Sequence, residues 1–239
     1  MFFILPLTSI LCIYILAAVL PAVFLMRYIY RMDTVEKEPP RLLLSLVFMG
    51  VLAAFASMAL EYFGEGILSS LVDANSPYYT VLLAFLVVGA VEEGTKLFFL
   101  KRRTWRDPSF NYRFDGVVYA VFVSLGFAAL ENIEYVFHYG LSVAVPRALL
   151  AIPGHMGFAV FMGSFYGRAK LCEDCGDGAG RTGNLLAGYL TAVLLHGFYD
   201  SCAMTQTGLS TVLFVAFVAA MYIVVLRRVR RESDEDIPV

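Results

Sequence analysis

The sequence predicts an all-α membrane protein, a polytopic helix bundle of about seven transmembrane helices with the N-terminus outside and the C-terminus in the cytoplasm. Hydrophobic residues make up 59% of the chain and charged residues only 16%, whereas soluble domains are about 45 to 50% apolar. Apolar runs of transmembrane length recur along the chain, with short connectors between them. Lys and Arg residues gather in every second connector, as expected for cytoplasmic loops.

Seven apolar runs approach the length of about 20 residues that crosses a hydrocarbon core of roughly 30 Å. The connectors are too short for a separate soluble domain, so residues 1–239 are expected to form a single membrane domain. The predicted spans cover residues 2–26, 42–60, 78–100, 115–137, 146–167, 185–204 and 208–226.

Basic residues set the predicted orientation of the bundle. All Lys and Arg residues except Lys96 and Arg147 lie in the connectors that follow spans one, three, five and seven. The remaining connectors, roughly 61–77, 138–145 and 205–207, contain none. No basic segment precedes the first span, so this span is expected to stay in the mature protein. The expected surroundings are the lipid bilayer of the cell membrane, and no nucleic acid is expected as a partner.

Span three carries Glu92, Glu93 and Lys96 within one helical turn. A charged side chain at the bilayer centre costs about 2.5 to 3.5 kcal/mol on insertion scales, so these residues are expected to face the bundle interior and to mark a site. Two carboxylates beside one lysine leave one negative charge uncompensated, which suits a general base. A structural ion pair is the alternative, although a single carboxylate would satisfy Lys96.

Spans four to six each add ionisable residues at membrane depth. Glu131 lies toward the outer end of span four, and His155 follows Pro153 in span five, where a proline is expected to kink the helix. In span six, His196 and Asp200 are four residues apart and share one face, so the carboxylate can orient the imidazole or help to bind a metal.

The depths of these residues test whether they can meet in one site. At about 1.5 Å per residue, His155 and His196 both fall near the midplane. Glu92 falls roughly 20 Å from the outer surface and Glu131 roughly 5 to 10 Å from it, so straight helices would keep those two carboxylates apart.

Four motifs in chain order resemble those of the PrsW proteases, which are similar to the CAAX-prenyl endopeptidases and the bacteriocin-processing membrane proteins. Lys96 stands in place of an Arg one position later, and Glu131 in place of a His, so the CAAX type and prenyl-protein processing are not expected. The motifs are E-E-x-x-K at Glu92, Glu93 and Lys96, F-x-x-x-E at Phe127 and Glu131, H-x7-G at His155 and Gly163, and H-x-x-x-D at His196 and Asp200.

The resemblance implies an intramembrane endopeptidase whose catalytic core lies within residues 78–204 and whose partner is a membrane-anchored protein substrate. For the PrsW branch it further implies the first, outside cut in an anti-sigma factor. In the expected mechanism Glu92 is the general base, and the histidines stabilise the oxyanion. The supporting roles fall to Glu93 and Lys96, which set the charge of the site, and to Asp200, which holds His196.

Two alternatives remain open from the sequence. The cofactor is either none or Zn²⁺, and in the zinc version His155, His196 and Glu131 are the ligands with Glu92 as base. Buried carboxylates, histidines and a lysine also occur in proton- or cation-coupled transporters, which are the alternative class of function.

Overall fold

The computed structural model describes residues 7–239, and this part of the chain is all-helical. Residues 2–6 of the first predicted span lie outside the described residues. A π-helical segment, Leu83–Gly89, joins the short helix Tyr79–Leu82 directly to the helix Ala90–Thr104. The helices are α1 (Leu7–Met32), α2 (Pro40–Leu71), α3 (Tyr79–Leu82), α4 (Ala90–Thr104), α5 (Asp115–Tyr139), α6 (Ala144–Leu149), α7 (Ala151–Asp174), α8 (Gly178–Thr205) and α9 (Gly208–Asp234).

Five helical stretches are long and apolar enough to cross a membrane: Thr8–Met32, Pro40–Leu71, Asp115–Tyr139, Leu141–Asp174 and Gly208–Asp234. The prediction of an all-α, multi-pass membrane protein is confirmed. Predicted spans three and six correspond to the α3–α4 run and to α8, which carry the polar motifs and are less apolar. The count of seven spans and the orientation of the termini stay predictions.

Helix α5 forms the centre of the bundle. Its residues from Asp115 to Ala128 are all buried, because α1, α2, α4 and α7 pack around it. A helix that is apolar on every face requires such surroundings. The outer helices instead expose large apolar side chains, such as Phe24, Leu44 and Leu209, each more than two-thirds exposed, as expected for surfaces that face lipid.

Glycines bring α5 and α7 into backbone contact. A Cβ atom added at Gly163 would lie 2.5 Å from the carbonyl oxygen of Gly116, and one at Gly167 would clash with the carbonyl oxygen of Arg113. Only glycine allows backbones to approach so closely. The small-residue spacing at Gly163 and Gly167 predicts this packing, and the structure confirms it.

Two irregularities position the polar side chains. The wide π-helical turn before α4 packs on α8, where a Cβ atom at Gly197 would lie 2.5 Å from the Phe85 ring. Span five is interrupted at Leu150, and Pro153 lies in the first turn of α7, where its missing N–H group leaves no hydrogen bond unmade. His155 therefore lies near the start of a new helix.

Candidate active site

Three charged side chains of α4 form the buried centre of the site. The Lys96 Nζ atom lies 2.9 Å from Glu92 Oε2 and 2.8 Å from Glu93 Oε1. It also lies 3.2 Å from His155 Nδ1 on α7. The exposed fractions are 5% for Glu92, 0% for Glu93 and 2% for Lys96, so opposite charges replace the lost hydration.

His196 joins this centre from α8. Its Nδ1 atom lies 2.9 Å from Glu93 Oε1, and its Nε2 atom lies 3.2 Å from Asp200 Oδ2 one turn later. The Phe158 ring stacks on the imidazole at a centroid distance of 4.8 Å. Both ring nitrogens therefore have carboxylate partners, and the ring is fixed in place by packing.

Glu131 reaches the same centre through the second histidine. Its Oε2 atom lies 2.8 Å from His155 Nε2, while its Oε1 atom lies 3.0 Å from an Nη atom of Arg147. The expected separation in depth is bridged because the break at Leu150 starts α7 beside the C-terminal part of α5, where Glu131 lies. The structure thus joins all the predicted site residues in one hydrogen-bonded network.

A cavity of about 770 Å³ adjoins this network. Glu93 and Lys96 do not line it and lie behind the cavity wall. The volume falls in the range of about 300 to 1,000 Å³ typical of ligand pockets. Five of the predicted site residues line the cavity: Glu92, Glu131, His155, His196 and Asp200.

Sequence reasoning missed several residues of this site. Glu61 and Glu65 line the cavity because α2 continues to Leu71, well past the predicted end of span two at residue 60. Residues 61–71 contain no proline, and this was the sequence signal that the helix could continue past residue 60. In the sequence, Arg147 is only an exception to the distribution of basic residues, yet it binds both Glu131 and the side chain of Asn132.

The donor atoms of the centre suit a metal ion. One ligand atom from each of Glu92, Glu93, His155 and His196 can be chosen so that all four lie within 4.8 Å of one another. Imidazole nitrogens and carboxylate oxygens are ligands that zinc takes in enzymes. The buried Glu93 Oε2 atom has no hydrogen-bond partner among the described residues. Glu131, which the sequence-based zinc set included, lies outside this group and bonds to His155 instead.

Lys96 bears directly on this fit. Its ammonium group contacts three of the four ligand residues, Glu92, Glu93 and His155, and so already places a positive charge among the donors. A divalent ion at this point requires the long side chain of Lys96 to swing aside. The donor set fits a metal ion on that condition.

Carboxylates and histidines that line one cavity inside a bundle of apolar helices are typical of the active site of an intramembrane hydrolase. The comparison with protein families specifies this class further. The chain belongs to the PrsW family, since residues 38–226 match the family described as PrsW family intramembrane metalloprotease.

Curated relatives agree with this assignment. The chain is 34% identical over 217 residues to Protease PrsW of Geobacillus kaustophilus, covering 90% of each protein. It is 34% identical over 184 residues to Protease PrsW of Bacillus subtilis, covering 77% of this chain and 79% of the relative. Protease PrsW of Clostridioides difficile is 29% identical over 211 residues. No solved structure matches the chain. The transporter alternative gains no support from these matches.

Proposed function

We propose that this chain is an endopeptidase that cuts a membrane-anchored protein at the Glu92, His155 and His196 centre, and that it makes the first cut in an anti-sigma factor. The cavity beside this centre is the observation that carries the proposal, because it gives a peptide bond access to buried acid–base groups. The relatives named Protease PrsW support hydrolysis of protein substrates.

Glu92 is the proposed general base. It lines the cavity, whereas Glu93 does not, so of the two adjacent carboxylates Glu92 is the one that can meet water and substrate. The carboxylate accepts a proton from the water whose oxygen attacks the peptide carbonyl carbon. The same proton then passes to the amine nitrogen as the C–N bond breaks.

The two histidines are held by carboxylates on the cavity side. Asp200 orients His196 and Glu131 orients His155, an arrangement that fixes both rings. In the metal-free version, a ring N–H group exchanges its carboxylate partner for the oxyanion as negative charge develops. The ammonium of Lys96 behind the histidines lowers the cost of that negative charge.

In the metal-dependent version, Glu93, His155 and His196 would hold the ion and Glu92 would remain the base. A bound zinc ion would supply Lewis acidity, which lowers the pKa of water and polarises a carbonyl group. We favour this version over the zinc set with Glu131, because Glu131 Oε2 is already engaged with His155 Nε2 at 2.8 Å. The description of the family as metalloproteases supports it as well.

The test is a cleavage assay in liposomes with a panel of single-span membrane proteins that includes an anti-sigma factor. We expect cleavage at or beside the membrane segment, located by mass spectrometry, and none by the His196→Ala variant prepared in parallel. Cleavage of other substrates but not of the anti-sigma factor would contradict the proposed substrate and would still support the endopeptidase activity. A wild-type enzyme that cuts none of them would contradict the proposal.

A further inference from the structure

A second cavity, of about 380 Å³, lies at the other end of α5 and α7 from the active-site residues. One wall comes from Arg113, two residues before the start of α5, and from the last third of α7, and the other comes from the end of α9. Its lining is unusually basic, with five arginines beside two glutamates and one valine. These residues are Arg113, Arg168, Arg227, Arg228, Arg231, Glu232, Glu235 and Val224.

The arginines outnumber their carboxylate partners. Arg228 pairs with Glu232 at 2.9 Å, and Arg231 pairs with Glu235 at 3.1 Å. Within residues 7–239, Arg113, Arg168 and Arg227 have no carboxylate oxygen within 4.0 Å, but an Nη atom of Arg113 donates to the carbonyl of Glu235 at 2.9 Å. The cavity therefore keeps a net positive charge, with two guanidinium groups available to an anion.

The fold holds several of these side chains in place. The Arg228 Nε atom donates to the buried Ser164 Oγ atom at 2.8 Å, and its guanidinium lies 4.9 Å from the centre of the Phe161 ring. The backbone N–H of Arg113 donates to the carbonyl of Ile237 in the C-terminal segment. Gly167 packs on the carbonyl of Arg113, which holds Arg113 against α7 within the first wall.

Guanidinium groups that converge in this way suit a phosphate group. Arginine presents several N–H donors in a plane and binds phosphate oxygens in pairs. Basic pockets between membrane helices bind the head groups of anionic lipids. Just before the arginines, α9 exposes an apolar surface at Ile223 and Val224, which are 52% and 46% exposed, so acyl chains can lie directly beside the cavity.

We propose that this arginine cavity binds the phosphate group of an anionic phospholipid. The lipid head group would lie between α7 and α9, with its chains along the apolar face of α9. Arg168 and Arg227 are the principal ligands, since neither is engaged by a carboxylate. The site is separate from the proteolytic centre, and the proposal does not depend on the proposed function.

The test measures lipid retention by native mass spectrometry and thermal unfolding of the protein in nanodiscs at physiological salt. Phosphatidylcholine nanodiscs are compared with nanodiscs that contain phosphatidylglycerol, and with phosphatidylcholine nanodiscs plus inorganic phosphate. We expect retained phosphatidylglycerol on the wild type, and about 30-fold weaker binding to the Arg168→Gln/Arg227→Gln variant, from the usual contribution of two arginines near an anionic surface.

The matched control is Arg31→Gln/Arg41→Gln, which removes two exposed arginines from the connector between spans one and two, on the same predicted membrane side. We expect this control to retain lipid as the wild type does. The variant Arg168→Lys/Arg227→Lys, which keeps the charge, should bind with intermediate strength and guards against misfolding as the explanation. Equal losses in both glutamine variants would overturn the site. Stabilisation by inorganic phosphate without any by phosphatidylglycerol would overturn the lipid assignment.

Discussion

At the scale of single residues, the charge balance of the site depends on Lys96. Its ammonium contacts two adjacent carboxylates in a buried location, where an unpaired charge would cost several kcal/mol. The same ammonium contacts His155. Lys96 therefore holds Glu92 and Glu93 close together, either as the cation that pairs with both carboxylates or as a group that makes way for a metal ion.

Metal removal separates these two possibilities. We expect the purified wild type to hold about one zinc ion per chain, and a chelator to abolish cleavage until Zn²⁺ is restored. The Glu93→Gln variant should lose the metal because it removes one of the proposed ligands. Elemental analysis and the cleavage rate are the measurements.

The control for this experiment is Glu65→Gln, which changes an exposed carboxylate on the wall of the same cavity. It should retain both metal and activity. Full cleavage by a metal-free, chelator-treated wild type would favour the metal-free mechanism with Glu92 as the base.

The residue pairs within one helix were predictable from the sequence. Helical spacing predicts contacts between Glu92 and Lys96 and between His196 and Asp200, and both contacts are present. The contact between Glu131 and His155 was not predictable, because it depends on the position of the helix break at Leu150. The sequence shows a proline near this point and gives no measure of how the two helices are aligned.

At the scale of helices, the crossing of α5 and α7 carries His155 and Glu131 into the same site. We expect Gly163→Ala to destabilise the protein by about 1 to 3 kcal/mol, the usual cost of overpacking. The added methyl group would meet backbone atoms of Gly116 and Val117 at 2.5 and 2.6 Å, and neither can move aside as a side chain would. Thermal unfolding in detergent and the cleavage rate measure the effect.

Gly183→Ala provides the matched control on α8. A Cβ atom there meets nothing within 4 Å, so this variant should be as stable as the wild type or slightly more stable. Wild-type unfolding temperatures for both variants would contradict the close crossing of α5 and α7.

Two acidic residues in the connector between α1 and α2 predict that the folding stability depends on pH. Burial raises the pKa of Glu38 to about 7, and burial raises the pKa of Asp33 to about 6. Both values lie above those of the unfolded chain, so the folded protein binds more protons between about pH 4 and pH 7. Folding stability therefore falls as the pH rises through this window.

We expect Glu38→Gln to reduce the loss of stability between pH 5 and pH 8, because the amide stays neutral at both values. A gain of 1 kcal/mol at pH 8 corresponds to roughly 2 to 4 °C for a chain of this size. Glu36→Gln, in the same connector but exposed, should follow the wild type. A Glu38→Gln variant with the same pH dependence as the wild type would exclude Glu38 as a cause.

At the scale of the whole molecule, composition alone predicted the membrane bundle, because a chain of this apolar content has to face lipid. The polar motifs lie on the continuous α3–α4 run and on α8. These two segments are the predicted spans that hydropathy supports least. Their polar residues face the interior, where neighbouring helices bury them. A hydropathy profile along the sequence cannot show this burial. The lower hydropathy of these helices reflects their contribution to the site.

The distribution of Lys and Arg predicts the orientation of the whole bundle. In a background without the native cysteines, Asn75→Cys should react with a membrane-impermeant maleimide in intact cells, because the connector after α2 is predicted to lie outside. Asp234→Cys should react only after the cells are permeabilised. The reverse pattern would invert the orientation, and labelling of both positions from one side would require a different number of spans.

The most direct measurement of the central claim compares the cleavage rate of one membrane-anchored substrate by the wild type, Glu92→Gln and Glu134→Gln in liposomes. Both variants exchange a carboxylate on the same cavity wall for an amide of equal size. We predict that Glu92→Gln slows cleavage by about 10²-fold or more without unfolding the protein, since a general base is lost. Glu134→Gln should cleave at nearly the wild-type rate. Cleavage by Glu92→Gln at the wild-type rate would contradict the assignment of the catalytic centre.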